Sequence, residues 1–187
     1  MDDRLRREVG FLATRLGSIV REQAGEKVFA TIERLRGLSK QLRTEPATTA
    51  SPDAVLSGLS VPEASAVAHA FSLFFHLVNL CEERQRVRRL REYGRAARGA
   101  PISLRHTFAR LEDAGRRTDA EAASLGRFLR SVHIEPVMTA HPTEAKRRSV
   151  INHLLRIRRE LDALDGGLGA EAEVAVNPWV EALWLTD

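Results

Sequence analysis

The stretch VMTAHPTEAKRRS, residues 137–149, joins a short apolar run to a long amphipathic one. Before it, residues 131–138 are largely apolar and contain Pro136, a composition that predicts one short strand at a sheet edge. After it, apolar residues recur three and four positions apart from Val150 to Leu164, which is the spacing of one helix face. We therefore predict a strand near 132–139 that turns sharply into a helix.

His141 lies at this turn and is the first candidate functional residue. Pro142 suits the first position of a helix, because its φ is fixed and its missing N–H has no partner there. A helix start favours bound anions, and an imidazole beside it can stabilise a phosphate or move a proton near neutral pH. The residues alone leave open whether His141 serves a small anionic substrate or merely caps the helix. Three cations follow one turn later and add positive potential: Lys146, Arg147 and Arg148.

The stretch resembles the histidine signature of phosphoenolpyruvate carboxylase, which reads as an aliphatic pair, Thr-Ala-His-Pro-Thr, a polar stretch and paired arginines. Members of that family are several times longer than 187 residues, so we interpret the chain as the N-terminal part of a bacterial-type enzyme, cut within a motif. Other segments are similar to the family's in the family's order: Leu16-Gly17, VFATIERLRGLSK at 28–40, AHAFS at 68–72, NLCEER at 79–84 and LWLTD at 183–187.

The resemblance implies a mainly α-helical chain, the helical N-terminal part of an α/β barrel, with one barrel strand near 132–139. Residues 1–187 then form one portion of such a domain: a helical part at 1–130, the strand and histidine turn at 131–149, and helices at 150–187. Catalytic residues of such barrels gather at the C-terminal ends of strands. The position of His141 directly after the predicted strand fits that rule.

The resemblance also implies the reaction, in which phosphoenolpyruvate and bicarbonate give oxaloacetate and phosphate to supply the tricarboxylic acid cycle. His141 takes the place of the family's histidine, which acts on the carboxyphosphate intermediate, and Arg147 and Arg148 match the paired arginines as supports of the substrate-anion pocket. Mg²⁺ or Mn²⁺ is the implied cofactor, with ligands outside this chain, and the full-length enzyme is implied to be a homotetramer. We expect the 187 residues alone to be inactive.

Composition narrows the class of protein less than the motif does. With 43% hydrophobic and 29% charged residues, the sequence is typical of a globular protein. The formal charge of +4 fits a nucleic-acid partner and an enzyme of anionic substrates equally well. The single Cys81 excludes an internal disulfide, and we find neither a signal peptide nor an apolar run of about 20 residues. We therefore expect a cytoplasmic protein without a membrane partner.

Other candidate sites are weaker. Residues 82–98 are rich in arginine, but no second basic element or aromatic cluster accompanies them, so we favour a solvated or intersubunit face over nucleic-acid binding. His69 and His76 lie two helical turns apart, too far for one metal ion, and are interpreted as core or interface histidines. Cys81 is predicted to be a buried small apolar residue. A stand-alone helical binding protein with an anion site at the His141 turn, or an Arg-rich interaction module, stays open as an alternative.

The apolar periodicity and the capping residues give the remaining elements. Residues 44–58, rich in Thr, Ser, Pro and Ala, are predicted to form a mobile loop. The predicted helices span 3–22, 26–42, 60–98 and 103–114, and further helices begin near 118, at 142 and at 177.

Overall fold

The computed structural model describes residues 3–44, 51–95, 103–115, 119–136, 146–164 and 167–186. The prediction of a mainly helical chain is confirmed for these ranges, which contain eight helices and no strand. Two compact units result, one from Met1–Arg84 with Lys146–Asp187 and the other from Gln85–Ala145. The helices are α1 Asp3–Ala24, α2 Glu26–Thr44, α3 Pro52–Leu56, α4 Val61–Arg95, α5 Leu104–Gly115, α6 Asp119–Ser131, α7 Arg148–Ala163 and α8 Ala170–Trp184.

The core of the first unit forms where the apolar stripes of five helices meet. α1 packs against α2 and α8, and α7 packs against α8. Each stripe follows the spacing of three and four residues that the sequence shows, so burial of these side chains supplies the main stabilisation. The most deeply buried members are Leu12, Val20, Leu77, Cys81, Ile157, Leu161, Val176, Val180 and Leu183.

Gly25 separates α1 from α2 because its backbone adopts φ of 89°. An L side chain in this left-handed region crowds its own backbone. Gly25→Ala is therefore expected to lower the free energy of unfolding by about 1 kcal/mol. Gly37 lies inside α2, where alanine is the better helix former, so Gly37→Ala is expected to raise that free energy by roughly 0.5–1 kcal/mol.

Urea unfolding of the two glycine variants checks this difference. An added Cβ meets no described atom within 4 Å at either Gly25 or Gly37, so packing does not distinguish the two positions. Equal effects of the two substitutions would contradict the assignment of strain to Gly25.

The start of α4 is fixed by the predicted capping box. The Glu63 carboxylate accepts hydrogen bonds from the Ser60 backbone N–H at 2.9 Å and from Ser60 Oγ at 2.7 Å. Lys27 Nζ lies 2.6 Å from Glu63 Oε1 and thereby ties α4 to α2. The interaction with Lys27 is the largest cause that lowers the pKa of Glu63, and the hydrogen bonds from the Ser60 N–H and hydroxyl lower it further, to about 2. The carboxylate is thus charged throughout the neutral range.

α4 is the core helix of the first unit as far as Arg84. Its inward face includes the buried Val67, Leu73 and Leu77, as the apolar first half predicts, but Phe75 is 58% exposed. Among the described helices, α4 is also the one that by length and composition could cross a membrane. A core helix passes the same test, so the finding is weak evidence for a membrane partner.

Two predicted boundaries are wrong. Residues 44–58 do not form only a loop, since α3 lies within them and begins with Ser51 Oγ accepting from the Asp53 N–H at 3.1 Å. The sequence Ser-Pro-Asp is itself a helix-start signal. The last helix does not open at Asn177, because α8 begins at Ala170 and holds Pro178 in its interior. The buried stripe Ala172, Val176, Val180 and Leu183 outweighs the hydrogen bond that Pro178 removes.

The second unit contains the end of α4 and the paired helices α5 and α6, whose predicted positions are confirmed. The predicted strand near 132–139 falls partly here. Its described residues, 132–136, follow α6 without forming a strand, and 137–139 lie outside the described residues. A strand needs a neighbour to pair its N–H and C=O groups, and the described ranges provide none.

Candidate functional site

Of the stretch 137–149, the structure describes residues 146–149. His141, the candidate catalytic residue, lies outside the described residues. Lys146 and Arg147 precede α7 without being helical, and Arg148 is its first residue. The prediction of one helix running on from Pro142 is therefore wrong. Three adjacent cations are unfavourable at the positive end of a helix, and Arg147 at the N-cap position offers no side-chain acceptor.

Arg147 and Arg148 lie together at the start of α7 with exposed side chains. Within the described part of the chain, neither guanidinium has a carboxylate or hydrogen-bond partner. The first N–H groups of α7 and the two guanidinium groups therefore share one end of the helix, which favours an anion there. The helix starts later than predicted, and the anion chemistry of this stretch stays a prediction.

A buried ion-pair network holds α7 against the rest of the first unit. The Arg84 side chain is 3% exposed and the Glu8 side chain 1%, and Arg84 Nη1 lies 3.0 Å from Glu8 Oε2. Arg84 Nε donates to Asp162 Oδ1 at 3.0 Å, and Nη2 lies at the same distance from that oxygen. One guanidinium thus joins α1, α4 and α7.

Sequence reasoning did not find this network. The sequence places Arg84 in the Arg-rich run at 82–98, whose later described arginines are exposed or half-buried. The signal that identifies it is the helical spacing, because Arg84 continues the buried stripe of Leu77, Leu80 and Cys81. A charged residue on a buried face requires a partner, and Glu8 supplies it.

A groove lies between α4 and α7, which run in parallel, and we call it the α4–α7 groove. Its volume is about 190 Å³. His76 lies at one end of the groove. Its pKa is lowered mainly by burial and, to a smaller extent, by the charge of Lys146. Arg158 Nη1 donates to Glu83 Oε1 at 3.1 Å at the other end. The lining residues are His76, Asn79, Leu80, Glu83, Lys146, Ile151, Leu154, Leu155 and Arg158.

His69, His153 and Cys81 make contacts that contribute to packing. His69 is half-buried, with Nε2 3.0 Å from the Trp184 carbonyl oxygen and its ring 4.9 Å from the indole. His153 lies 6.5 Å from the Trp179 ring. Cys81 is fully buried, as predicted. Within the described ranges, no three His, Cys, Asp or Glu side chains come together as a metal-binding group.

Within the described ranges, a buried guanidinium joins three helices, and two arginines without a described partner lie at the start of α7, where an anion is favoured. Comparison with known proteins gives a narrower class. The family model described as phosphoenolpyruvate carboxylase matches residues 5–187. The chain belongs to the phosphoenolpyruvate carboxylase family.

Curated relatives agree with the family model. The phosphoenolpyruvate carboxylase of Roseiflexus castenholzii is 35% identical over 193 residues, which cover 99% of this chain and 20% of that protein. The Rhodopseudomonas palustris protein of the same name is 32% identical, and the match covers 100% of this chain and 20% of that protein. The Mycobacterium avium protein is 34% identical, and the match covers 97% of this chain and 20% of that protein. The chain thus spans about a fifth of the length of the curated relatives it matches.

Proposed function

We propose that this chain is the N-terminal part of a bacterial-type phosphoenolpyruvate carboxylase, which joins phosphoenolpyruvate and bicarbonate to give oxaloacetate and inorganic phosphate. The observation that carries the proposal is the family match over residues 5–187, which includes the Thr-Ala-His-Pro-Thr segment and the paired arginines. The reaction replenishes the tricarboxylic acid cycle, and the enzyme works in the cytoplasm as a homotetramer.

The chemistry needs an environment for anionic oxygens. A bicarbonate oxygen attacks phosphorus, and the bond from phosphorus to the enol oxygen breaks, which gives carboxyphosphate and the pyruvate enolate. Carboxyphosphate then splits into carbon dioxide and phosphate, and the enolate carbon attacks the carbon dioxide. Arg147 and Arg148 neutralise phosphate or carboxylate charge in these states. Their guanidinium groups lie at the start of α7 without a partner among the described residues, which supports this role.

His141 is the proposed catalytic residue. An imidazole titrates near neutral pH and so suits the carboxyl proton of carboxyphosphate, which must leave before the intermediate releases carbon dioxide. The same group, once protonated, stabilises the anionic phosphate that departs. The sequence motif and the family match support this role.

The proposed enzyme uses Mg²⁺ or Mn²⁺, which would polarise the phosphoryl and enolate oxygens. Such ions prefer several oxygen ligands. The described residues offer no group of three candidate side chains, so they do not fit the ion. We accordingly assign no metal ligand and no metal-dependent step to this chain, and we expect the 187 residues alone to be inactive.

The intact mass of the native polypeptide, measured from the source cells, tests the proposal. We expect a mass several times the 20.8 kDa of this chain, together with bicarbonate-dependent formation of oxaloacetate by the purified polypeptide. The isolated 187-residue chain, assayed beside it, is expected to form none. A native mass of 20.8 kDa would overturn the proposed function for this polypeptide.

A further inference from the structure

The α4–α7 groove has an apolar floor that is open to solvent. Leu80 and Leu154 are buried beneath it, whereas Ile151 is 42% and Leu155 44% exposed at its rim. An exposed aliphatic surface in a groove favours binding of an apolar group, because binding removes that surface from water. The floor therefore suits a hydrocarbon moiety.

The charges at the two ends of the groove differ. At one end Glu83 and Arg158 form an ion pair, in which each group neutralises the charge of the other. At the other end Lys146 has no carboxylate partner among the described residues, and it lies close enough to His76 to lower the pKa of that imidazole. Among the described residues that line the groove, Lys146 is thus the cation without a carboxylate partner, and it lies at the end nearest the histidine turn in sequence.

From this arrangement we propose that the groove binds a small aliphatic monocarboxylate, with its carboxylate at Lys146 and its hydrocarbon part on Leu80, Ile151 and Leu155. Lys146 matches one negative charge, and the mutually neutralised pair of Glu83 and Arg158 supplies no second cation within the groove. The groove volume of about 190 Å³ suits a small ligand with a few carbons. The proposal concerns a different ligand class from the phosphorylated substrate and does not rest on the proposed function.

Isovalerate, a branched monocarboxylate, is the probe for a titration of the full-length native polypeptide that carries this chain, followed by methyl NMR. We expect saturable shifts of the Leu80, Ile151 and Leu155 methyl signals. The pKa of His76 is expected to rise on binding, because the bound carboxylate offsets the charge of Lys146. Acetate lacks the hydrocarbon part and 3-methyl-1-butanol lacks the charge, so each is expected to bind at least about tenfold more weakly.

Two matched lysine variants distinguish this site from general attraction to a basic protein. Lys146→Met is expected to weaken isovalerate binding about tenfold, since the charge-assisted contact is lost while the length of the side chain is kept. Lys40→Met removes an exposed lysine on α2, away from the groove, and is expected to leave binding unchanged. Both positions are exposed, and circular dichroism checks that both variants keep their helices.

Three results would overturn the inference. Isovalerate could produce no saturable shift at the groove residues. The alcohol could bind as tightly as isovalerate, which would exclude recognition of the carboxylate. Lys40→Met could weaken binding as much as Lys146→Met, which would exclude a role for the groove.

Discussion

His141→Asn, introduced into the full-length polypeptide that carries this stretch, is expected to lower the turnover number for oxaloacetate formation at least about 100-fold. A positioned general acid or base contributes about 100- to 10,000-fold, and asparagine keeps the approximate size of the side chain but cannot titrate. The binding of phosphoenolpyruvate should change far less, because the proposed role of His141 is in proton transfer and the proposed charge support comes from other residues, Arg147 and Arg148 among them. Steady-state rates over a range of substrate concentrations separate the two effects.

His133→Asn is the matched control for this experiment. His133 lies eight residues before His141, is 84% exposed, and has Glu135 at 3.9 Å as its neighbour. The same substitution there is expected to leave turnover unchanged. Comparable losses in the two variants, or near-normal turnover in His141→Asn, would contradict the catalytic role of His141.

The helical part of the fold could be predicted from the sequence because it depends on local signals. The apolar spacing placed α1, α2 and α4, and Ser60 with Glu63 marked the start of α4. The same local rules failed at Pro178, where four buried residues continue the helix through a proline. They failed again at Arg147, where the charges of neighbouring residues delay the helix start. Tertiary burial and local electrostatics, rather than propensity, set these two boundaries.

For the candidate site, the sequence gives a hypothesis of its chemistry and nothing of its geometry. The motif predicts that His141 and the two arginines belong to one anionic site, but their mutual geometry depends on contacts far apart in sequence. The ion pair of Arg84 with Glu8 joins residues 76 positions apart, and no periodicity in the sequence links such a pair. The strand near 132–139 is a similar case, since strand formation depends on a neighbouring strand and not on residues 132–139 alone.

The Arg84 network gives the largest expected effect on stability. In Arg84→Met, Glu8 stays buried without its main cation, and loss of one partner of a buried pair costs about 3–5 kcal/mol of unfolding free energy. Arg4 Nε lies 3.6 Å from Glu8 Oε1 and offsets part of that cost, so we expect about 3 kcal/mol. Asp162 is 59% exposed and is solvated by water instead. Urea unfolding of the 187-residue chain measures the change.

Two further variants distinguish the two causes of the stability loss, which are the buried unpaired charge of Glu8 and the lost packing of the Arg84 side chain. Arg84→Met combined with Glu8→Met removes both charges, and such apolar replacement of a buried pair is often neutral, so most of the stability should return. Arg36→Met breaks an exposed pair with Glu33 on α2 and is expected to cost less than about 0.5 kcal/mol. A double variant as unstable as Arg84→Met would contradict this account. The loss would then come from the packing of the long Arg84 side chain between α1 and α7, and the guanidinium would not be the group that joins the three helices.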